Sequence, residues 1–356
     1  MSLLFLEGFG GYAAGSHTNA SGADPYLNGW NSWSGNFTVT QITSGTIGRR
    51  GYVEFSSTPN LRTPSFGGAG ATIVIGFRFY APGSNNFDTK GLIGGRDSSD
   101  NLLFNFGIDG YGYPCLLDNS GFYDEGNVLF RGTKRIIFGR WNYLELKITL
   151  NDTTGSYNFY VDGDDAGSGS SVDTLIGGTA DVDYLRFHQG SLGEIPDNWR
   201  FADLYVDDAT VHGPMEVWYQ AADTAGSSSA WTPGVGTTNE GEVDEIGSDG
   251  DTSYNYSTAT GTKDQIAHSD ALPAAPLCIQ PMCMVRAEST AENFQVGILS
   301  DPAGTPTEDL DTAVSVSSTS YVGVQGKLYE LDPDTGSAWA SAAAADAAET
   351  VYNHSA

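Results

Sequence analysis

Trp141-Asn142-Tyr143-Leu144-Glu145-Leu146-Lys147-Ile148-Thr149-Leu150, followed by a polar stretch at 151–155 and a second alternating stretch at 156–163, reads as two strands joined by a tight turn. Leu144, Leu146, Ile148 and Leu150 fall on one face, and Glu145, Lys147 and Thr149 on the other. After the turn, Tyr157, Phe159 and Val161 repeat the alternation. Strict period-two patterning of this kind belongs to half-buried antiparallel strands.

The same pattern recurs on either side. Ile73, Ile75, Phe77 and Phe79 form an unbroken apolar face, as do Leu102, Phe104, Phe106 and Ile108. Further strands are predicted at 52–55, 184–188 and 201–207. Two such faces packed together make a sandwich core about 10 Å thick. The texture changes near His212-Gly213-Pro214, where the chain becomes richer in Ala, Ser, Thr and Asp. Beyond that point strands are predicted at 216–221, 278–287, 293–299, 313–316 and 321–331, with Phe294, Val296 and Ile298 alternating. The one helix candidate is the Ala-rich run 339–349. The chain has 356 residues, 46 of them Gly, and 12% aromatics. It is long enough for two domains, each with its own core. The expected architecture is all-β, with a sandwich over 1–213 and a smaller β-sandwich or jelly roll over 214–356.

The formal charge of −28, from 44 acidic and 16 basic residues, opposes binding to a phosphate backbone or to anionic lipid headgroups. Nucleic-acid and membrane partners are therefore not expected. Three cysteines, Cys115, Cys278 and Cys283, do not make a disulfide framework; they read as small buried apolar residues. The opening Met1-Ser2-Leu3-Leu4-Phe5-Leu6 lacks the basic start, apolar length and small-residue cleavage site of a secretory signal. No stretch approaches the ~20 apolar residues of a membrane span. Synthesis in the cytoplasm without export is the expectation.

The first half resembles a group of concanavalin A-like, laminin-G-like sandwich proteins common in tailed bacteriophages. The residues that carry the resemblance are Leu6-Glu7-Gly8-Phe9, the region from Trp30 to Trp33, and Arg49-Arg50-Gly51-Tyr52-Val53-Glu54-Phe55. The 72–79 strand, the 141–163 hairpin and the closing Phe201-Ala202-Asp203-Leu204-Tyr205-Val206-Asp207-Asp208 complete it. The second half looks like the small jelly roll that follows such sandwiches in phage virion proteins. Its matching residues are Trp231, Val243-Asp244-Glu245, Asp251-Thr252-Ser253-Tyr254, and Glu330-Leu331-Asp332-Pro333-Asp334-Thr335-Gly336-Ser337-Ala338-Trp339. The resemblance implies a structural component of a virion, either a capsid decoration or a tail- or fibre-associated protein. It further implies a homo-oligomer, with a trimer the first guess, contacting capsid or tail proteins and having a virion location. A lectin-like receptor for host-surface glycans is the alternative, and a glycoside hydrolase ranks last.

Catalytic constellations are sparse. Glu242-Val243-Asp244-Glu245-Ile246 imitates the Glu-x-Asp-x-Glu strand of β-glucanases, whose nucleophile and acid lie about 5–5.5 Å apart. The third acid is replaced by Ile246, so the segment is expected to be an inert, solvated strand. Asp162, Asp164 and Asp165 lack the further oxygen ligands of a calcium loop and read as a turn. Asp97, Asp100 and Asn101, after Gly94-Gly95, form an oxygen-rich loop that is the candidate for a bound Ca2+; Asp207-Asp208 closes a strand. No other cofactor is expected. His17, His188, His212, His268 and His354 are scattered, and no nucleophile with a base can be named along the chain. Trp30, Trp33, Tyr111, Tyr113, Phe122 and Tyr123 are loop aromatics able either to stack on sugars or to cap the ends of the sandwich. The catalytic assignment is none.

Overall fold

The hairpin forms as its pattern predicts. Strand Trp141–Thr149 pairs antiparallel with Gly155–Val161, Leu146 facing Phe159 and Ile148 facing Tyr157, and Leu144, Leu146, Ile148 and Leu150 are fully buried. The computed structural model describes residues 3–8, 15–18, 36–43, 49–55, 61–83, 89–118, 127–187, 199–221, 223–243, 253–269 and 271–355. Phe9, the Trp30 to Trp33 region, Phe122, Tyr123, His188, Asp244 to Ile246 and Asp251-Thr252 lie outside them.

Among the described residues the chain is almost entirely antiparallel β, with one short α-helix. The first half builds two sheets. A nine-stranded sheet has Trp141–Thr149, Thr72–Tyr80 and Arg200–Asp207 side by side at its middle. A six-stranded sheet contains Lys90–Arg96, Leu102–Ile108 and Tyr184–Phe187. Their facing sides meet in one core, where Phe77 packs edge-on to Phe106 at 5.9 Å and Phe106 stacks on Phe159 at 6.0 Å. Each such ring contributes about 1.5–3 kcal/mol by leaving water.

The next turn, Asp162-Gly163, joins Gly155–Val161 to Asp164–Val172. Both of its residues have positive φ, 54° and 80°, as a two-residue type I′ hairpin loop requires. Asp162 accepts from the Tyr143 amide (2.7 Å) and pairs with Arg140 (2.7 Å). Asp164 pairs with Lys134, and Asp165 accepts from the Gly167 amide. The three carboxylates serve the turn, as expected.

The second half forms a separate sheet in the order Thr224–Ser229, Lys263–Ala267, Glu349–Ser355, Glu292–Ser300, Thr307–Leu310, with Val314–Val316 also on Glu292–Ser300. A two-stranded sheet, Met282–Val285 with Val322–Gln325, accompanies it. Ile266, Phe294, Val296, Val316, Val324 and Tyr352 make the core, with Trp231 against them. A smaller cluster seats Trp339, whose indole donates to the Tyr329 carbonyl (2.9 Å). The Asp-Pro-x-Thr-Gly segment makes the tight hairpin of Leu331–Asp332 with Ser337–Ala338 before that Trp.

Several boundaries differ from expectation. Residues 216–221 are not a strand; they run as a connector across the nine-stranded sheet, held by the Val217 amide on Asp203 (3.0 Å). The 278–287 strand shrinks to Met282–Val285, because Pro281 cannot donate to a ladder. The 321–331 strand breaks at Gly326, which packs on Pro281. The Ala-rich helix spans only Ala342–Asp346, capped by Ser341, whose hydroxyl accepts from the Ala344 amide (3.1 Å).

The outer face of the nine-stranded sheet is covered by the second half. Val74, Tyr143 and Tyr205 on that face cluster with Leu3, Leu6, Val211, Met215, Cys278 and Leu328. Gly76 has no side chain because the Tyr205 ring lies across it; a Cβ there would sit 2.0 Å from the ring. Arg78 pairs with the buried Asp203 (2.9 Å) and with Glu216 (3.1 Å), and the Leu3 amide donates to Glu330 (2.9 Å).

Candidate functional site

A groove of about 1170 Å3 opens where the connector meets the second half. Its aromatic lining includes Trp218, Tyr219, Trp231, Tyr254, Tyr256 and Tyr321. Trp218 follows directly on Val217, the residue fastened to Asp203. Tyr254 and Tyr256 are two apart on an extended segment that pairs with Thr232–Pro233, so they share a face, with ring centroids 6.3 Å apart. Tyr256 is exposed. Trp231 is set edge-on to Phe294 (6.1 Å) and donates to the Thr262 carbonyl (3.2 Å). Across the groove the Arg286 guanidinium lies over the Tyr321 ring at 5.2 Å.

Glu242 holds one wall together. It sits in a 3-10 turn, Glu240–Glu242, rather than on a strand, and it is buried. Its carboxylate accepts from the amides of Val235 (3.2 Å), Gly236 and Tyr254 (3.1 Å). The solvated-strand expectation is therefore corrected at this residue: three main-chain donors converge on a buried acceptor.

Polar groups interleave with the rings. Asn255 gives its amide hydrogens to the Asn239 carbonyl (2.8 Å) and Asp264 (3.3 Å), while its Oδ1 is buried without a partner. Ser257 Oγ lies 3.1 Å from His354 Nδ1, and His354 Nε2 lies 3.1 Å from Glu292 Oε2. This serine–histidine–carboxylate chain was invisible along the sequence, where its members are far apart. Strand pairing assembles it: Phe294 faces His354, which brings Glu292 diagonally beside the imidazole. The Ser257 oxygen is also bound within its own turn, accepting from the Ala259 amide (3.3 Å) and lying near the Ala259 carbonyl (3.0 Å) and Thr262 Oγ1 (2.6 Å).

The other sequence candidates disperse. Asp97 accepts from the amides of Ser99 (3.0 Å) and Asn101 (2.9 Å), from Asn101 Nδ2 (2.8 Å) and from the Thr179 amide (3.4 Å). Burial raises the Asp97 carboxyl, but these hydrogen bonds outweigh it and hold it below the usual range. Asp100 turns to Tyr184 and Arg96. The oxygens of the proposed Ca2+ loop thus already face donors, and among the described residues no group of three or more His, Cys, Asp or Glu could hold a metal ion. Asp207 accepts from the Ala209 and Thr210 amides and meets His212 Nε2 at 2.9 Å. Tyr111 is exposed, with Arg131 5.9 Å from its ring, and does not line the groove. Cys115, Cys278 and Cys283 are free thiols, Cys115 fully buried. No helix among the described residues is long and apolar enough to cross a membrane.

No protein-family model matches the chain, and no curated protein does. Solved structures with a similar fold include the endo-beta-1,4-glucuronan lyase of the fungus Trichoderma reesei, at 15% identity and a TM-score of 0.40, covering 61% of this chain and 100% of that one. The Trypanosoma rangeli sialidase in complex with the inhibitor DANA gives 12% identity and a TM-score of 0.34, over 56% of this chain and 30% of the sialidase. Domain 4 of AbnA, a GH43 extracellular arabinanase from Geobacillus stearothermophilus, gives 14% and 0.31, over 48% and 81%. At these identities and scores the likeness bears on no activity.

Proposed function

We propose that the protein is a non-enzymatic, carbohydrate-binding β-sandwich protein that serves as a structural component of a tailed-phage virion, on the capsid or the tail. The observation that carries the binding is the groove lined by Trp218, Tyr254, Tyr256 and Tyr321 among hydrogen-bonding side chains. Flat rings match the apolar faces of sugar rings, and the polar groups between them suit hydroxyls; such mixed linings are the mark of small-ligand clefts. The virion placement rests on the sequence resemblance, and with it go a homo-oligomer, a trimer in the first instance, and contacts to capsid or tail proteins. A glycan array probed with the intact protein and with Trp218→Ala tests the binding: neutral glycans are retained by the first and lost by the second. Mass spectrometry of purified particles tests the placement, and a chain absent from them removes it.

A hydrolytic reading is favoured by one observation, the Ser257–His354–Glu292 chain. The Ser257 hydroxyl has one proton, for which the Ala259 carbonyl and Thr262 Oγ1 of its own turn compete with His354, which suits a turn lock better than an activated nucleophile.

A further inference from the structure

Three arginines come together on one face of the six-stranded sheet. Arg62 and Arg186 stand directly opposite each other in an antiparallel pair, and Arg96 stands opposite Tyr184, two residues before Arg186. Like charges placed so closely across a sheet oppose folding. Asp100 is the carboxylate they share: it pairs with Arg96 (3.2 Å) and Arg186 (3.6 Å) and receives the Tyr184 hydroxyl. Asp100 reaches them from a left-handed backbone position, φ 67°.

Arg62 is the telling member. Its guanidinium carbon lies over the Tyr184 ring, 3.5 Å from the centroid. Its Nε is buried without a hydrogen bond, as is that of Arg96. Among the described residues Arg62 has no ion-pair partner, whereas Arg78, Arg131, Arg140 and Arg200 each have a carboxylate. In a chain with 44 acidic and 16 basic residues, an arginine beside two others and without a carboxylate of its own is a local reversal of the surface sign.

We propose that Arg62, Arg96 and Arg186, ordered by Tyr184 and Asp100, form a binding site for the carboxylate of an acidic glycan. The stack on Tyr184 fixes the plane of Arg62 and leaves its edge to meet a planar carboxylate through two parallel hydrogen bonds. The overall negative charge opposes extended polyanions, nucleic acids included, so a short acidic oligosaccharide is the ligand that fits. The inference rests on the carbohydrate-binding reading and extends it from the groove to a second, charged site on the sandwich.

Calorimetric titration of the intact protein with oligogalacturonate and oligoglucuronate, and with their methyl esters, tests it. The esters keep the rings and remove the charge. An acid form binds and its ester does not. Arg62→Ala weakens the acid form by about tenfold or more, the range for a charge-assisted hydrogen bond. Arg62→Lys, which keeps the charge and the fold but loses the planar fork, also weakens it. Raised salt weakens it further. Acid and ester binding alike, neither binding, or both Arg62 variants matching the parent protein overturns the proposal. Neutral glycans titrated in parallel separate the two claims: if they bind and the uronates do not, the charged site alone fails, and if nothing binds, the carbohydrate reading fails with it.

Discussion

Tyr205 donates its hydroxyl hydrogen to Glu145 Oε1 at 2.6 Å, and the same carboxylate oxygen accepts from the Gly213 amide at 2.9 Å. The His212 amide in turn donates to the Tyr205 oxygen (3.1 Å). Glu145 lies on the polar face of the deciding hairpin, yet it is fully buried, because the chain after 208 folds back over it. Burial pushes its carboxyl above the ordinary glutamate range, with the Tyr205 and Gly213 hydrogen bonds opposing. A carboxyl whose folded pKa is raised contributes stability that is fully present below its unfolded value, about 4.3. That contribution is lost as pH rises through the folded value. Glu145→Gln keeps an acceptor without the charge, so it should match or exceed the parent at pH 7 and remove this part of the pH dependence. Glu145→Ala strands two buried donors and should cost about 2–4 kcal/mol. Urea denaturation at several pH values measures both.

Asp207 titrates the other way. Burial raises the Asp207 carboxyl, but His212 and the Thr210 and Ala209 amides outweigh it and hold it low. Stability from this group is present above about pH 3.9 and is lost as pH falls through the depressed folded value. Asp207→Asn should therefore lower the denaturation midpoint at pH 7 and narrow the gap to the parent under strong acid. A gap that widens on acidification contradicts the assignment.

Glu242→Gln should destabilise the groove wall. The amide group of Gln would turn donors toward amide hydrogens from Val235, Gly236 or Tyr254. The expected loss is about 1–3 kcal/mol, read by thermal denaturation, with weaker glycan binding following from the displaced Tyr254. An unchanged midpoint would show that the carboxylate does not fasten the wall.

Removing the Trp218 ring should weaken glycan binding by about ten- to thirtyfold, corresponding to roughly 1.5–2 kcal/mol of apolar contact. The protein should remain folded, since Trp218 is only half-buried. Titration with a glycan taken from the array provides the number.

Ser257 should not react with a fluorophosphonate serine probe, and Ser257→Ala should leave glycan binding intact while loosening its turn. Covalent labelling at Ser257 that disappears in His354→Ala would instead establish the hydrolytic reading.

The sandwich was legible wherever apolar residues alternate, as at Ile73, Ile75, Phe77 and Phe79. It was illegible where the buried strand is polar. Glu349–Ser355 is the middle strand of the second half's sheet, with Val351 fully buried and Glu349, Thr350 and Asn353 nearly so. Its polar side chains find partners on neighbouring segments: Glu349 accepts from Ser227 (2.8 Å), Thr350 meets His268 (3.1 Å), and Asn353 Nδ2 donates to Gln295 (2.7 Å) while its Oδ1 is buried without a partner. No period-two hydrophobic signal survives such pairing. Lys90–Arg96 was hidden by its glycines, and Asp164–Val172 by its Gly and Ser residues. The groove aromatics carry no sequence signal, because Trp218, Trp231, Tyr254 and Tyr321 are scattered along the chain and meet only in the fold. The arginine cluster joins three strands distant in sequence and is apparent only from their register.

The pairing of Leu3–Glu7 with Arg200–Asp207 has a consequence for biosynthesis. The opening strand leaves the ribosome long before its partner exists, and until then it is an unpaired edge able to recruit a neighbouring nascent chain. Closure of the sandwich must await the last of its strands, which makes the contact order high and folding slow. Because Leu3 also hydrogen-bonds Glu330, trimming the opening strand should both open the sandwich and release the second half, and the yield of soluble protein should fall more steeply on warming the culture than a local defect would explain.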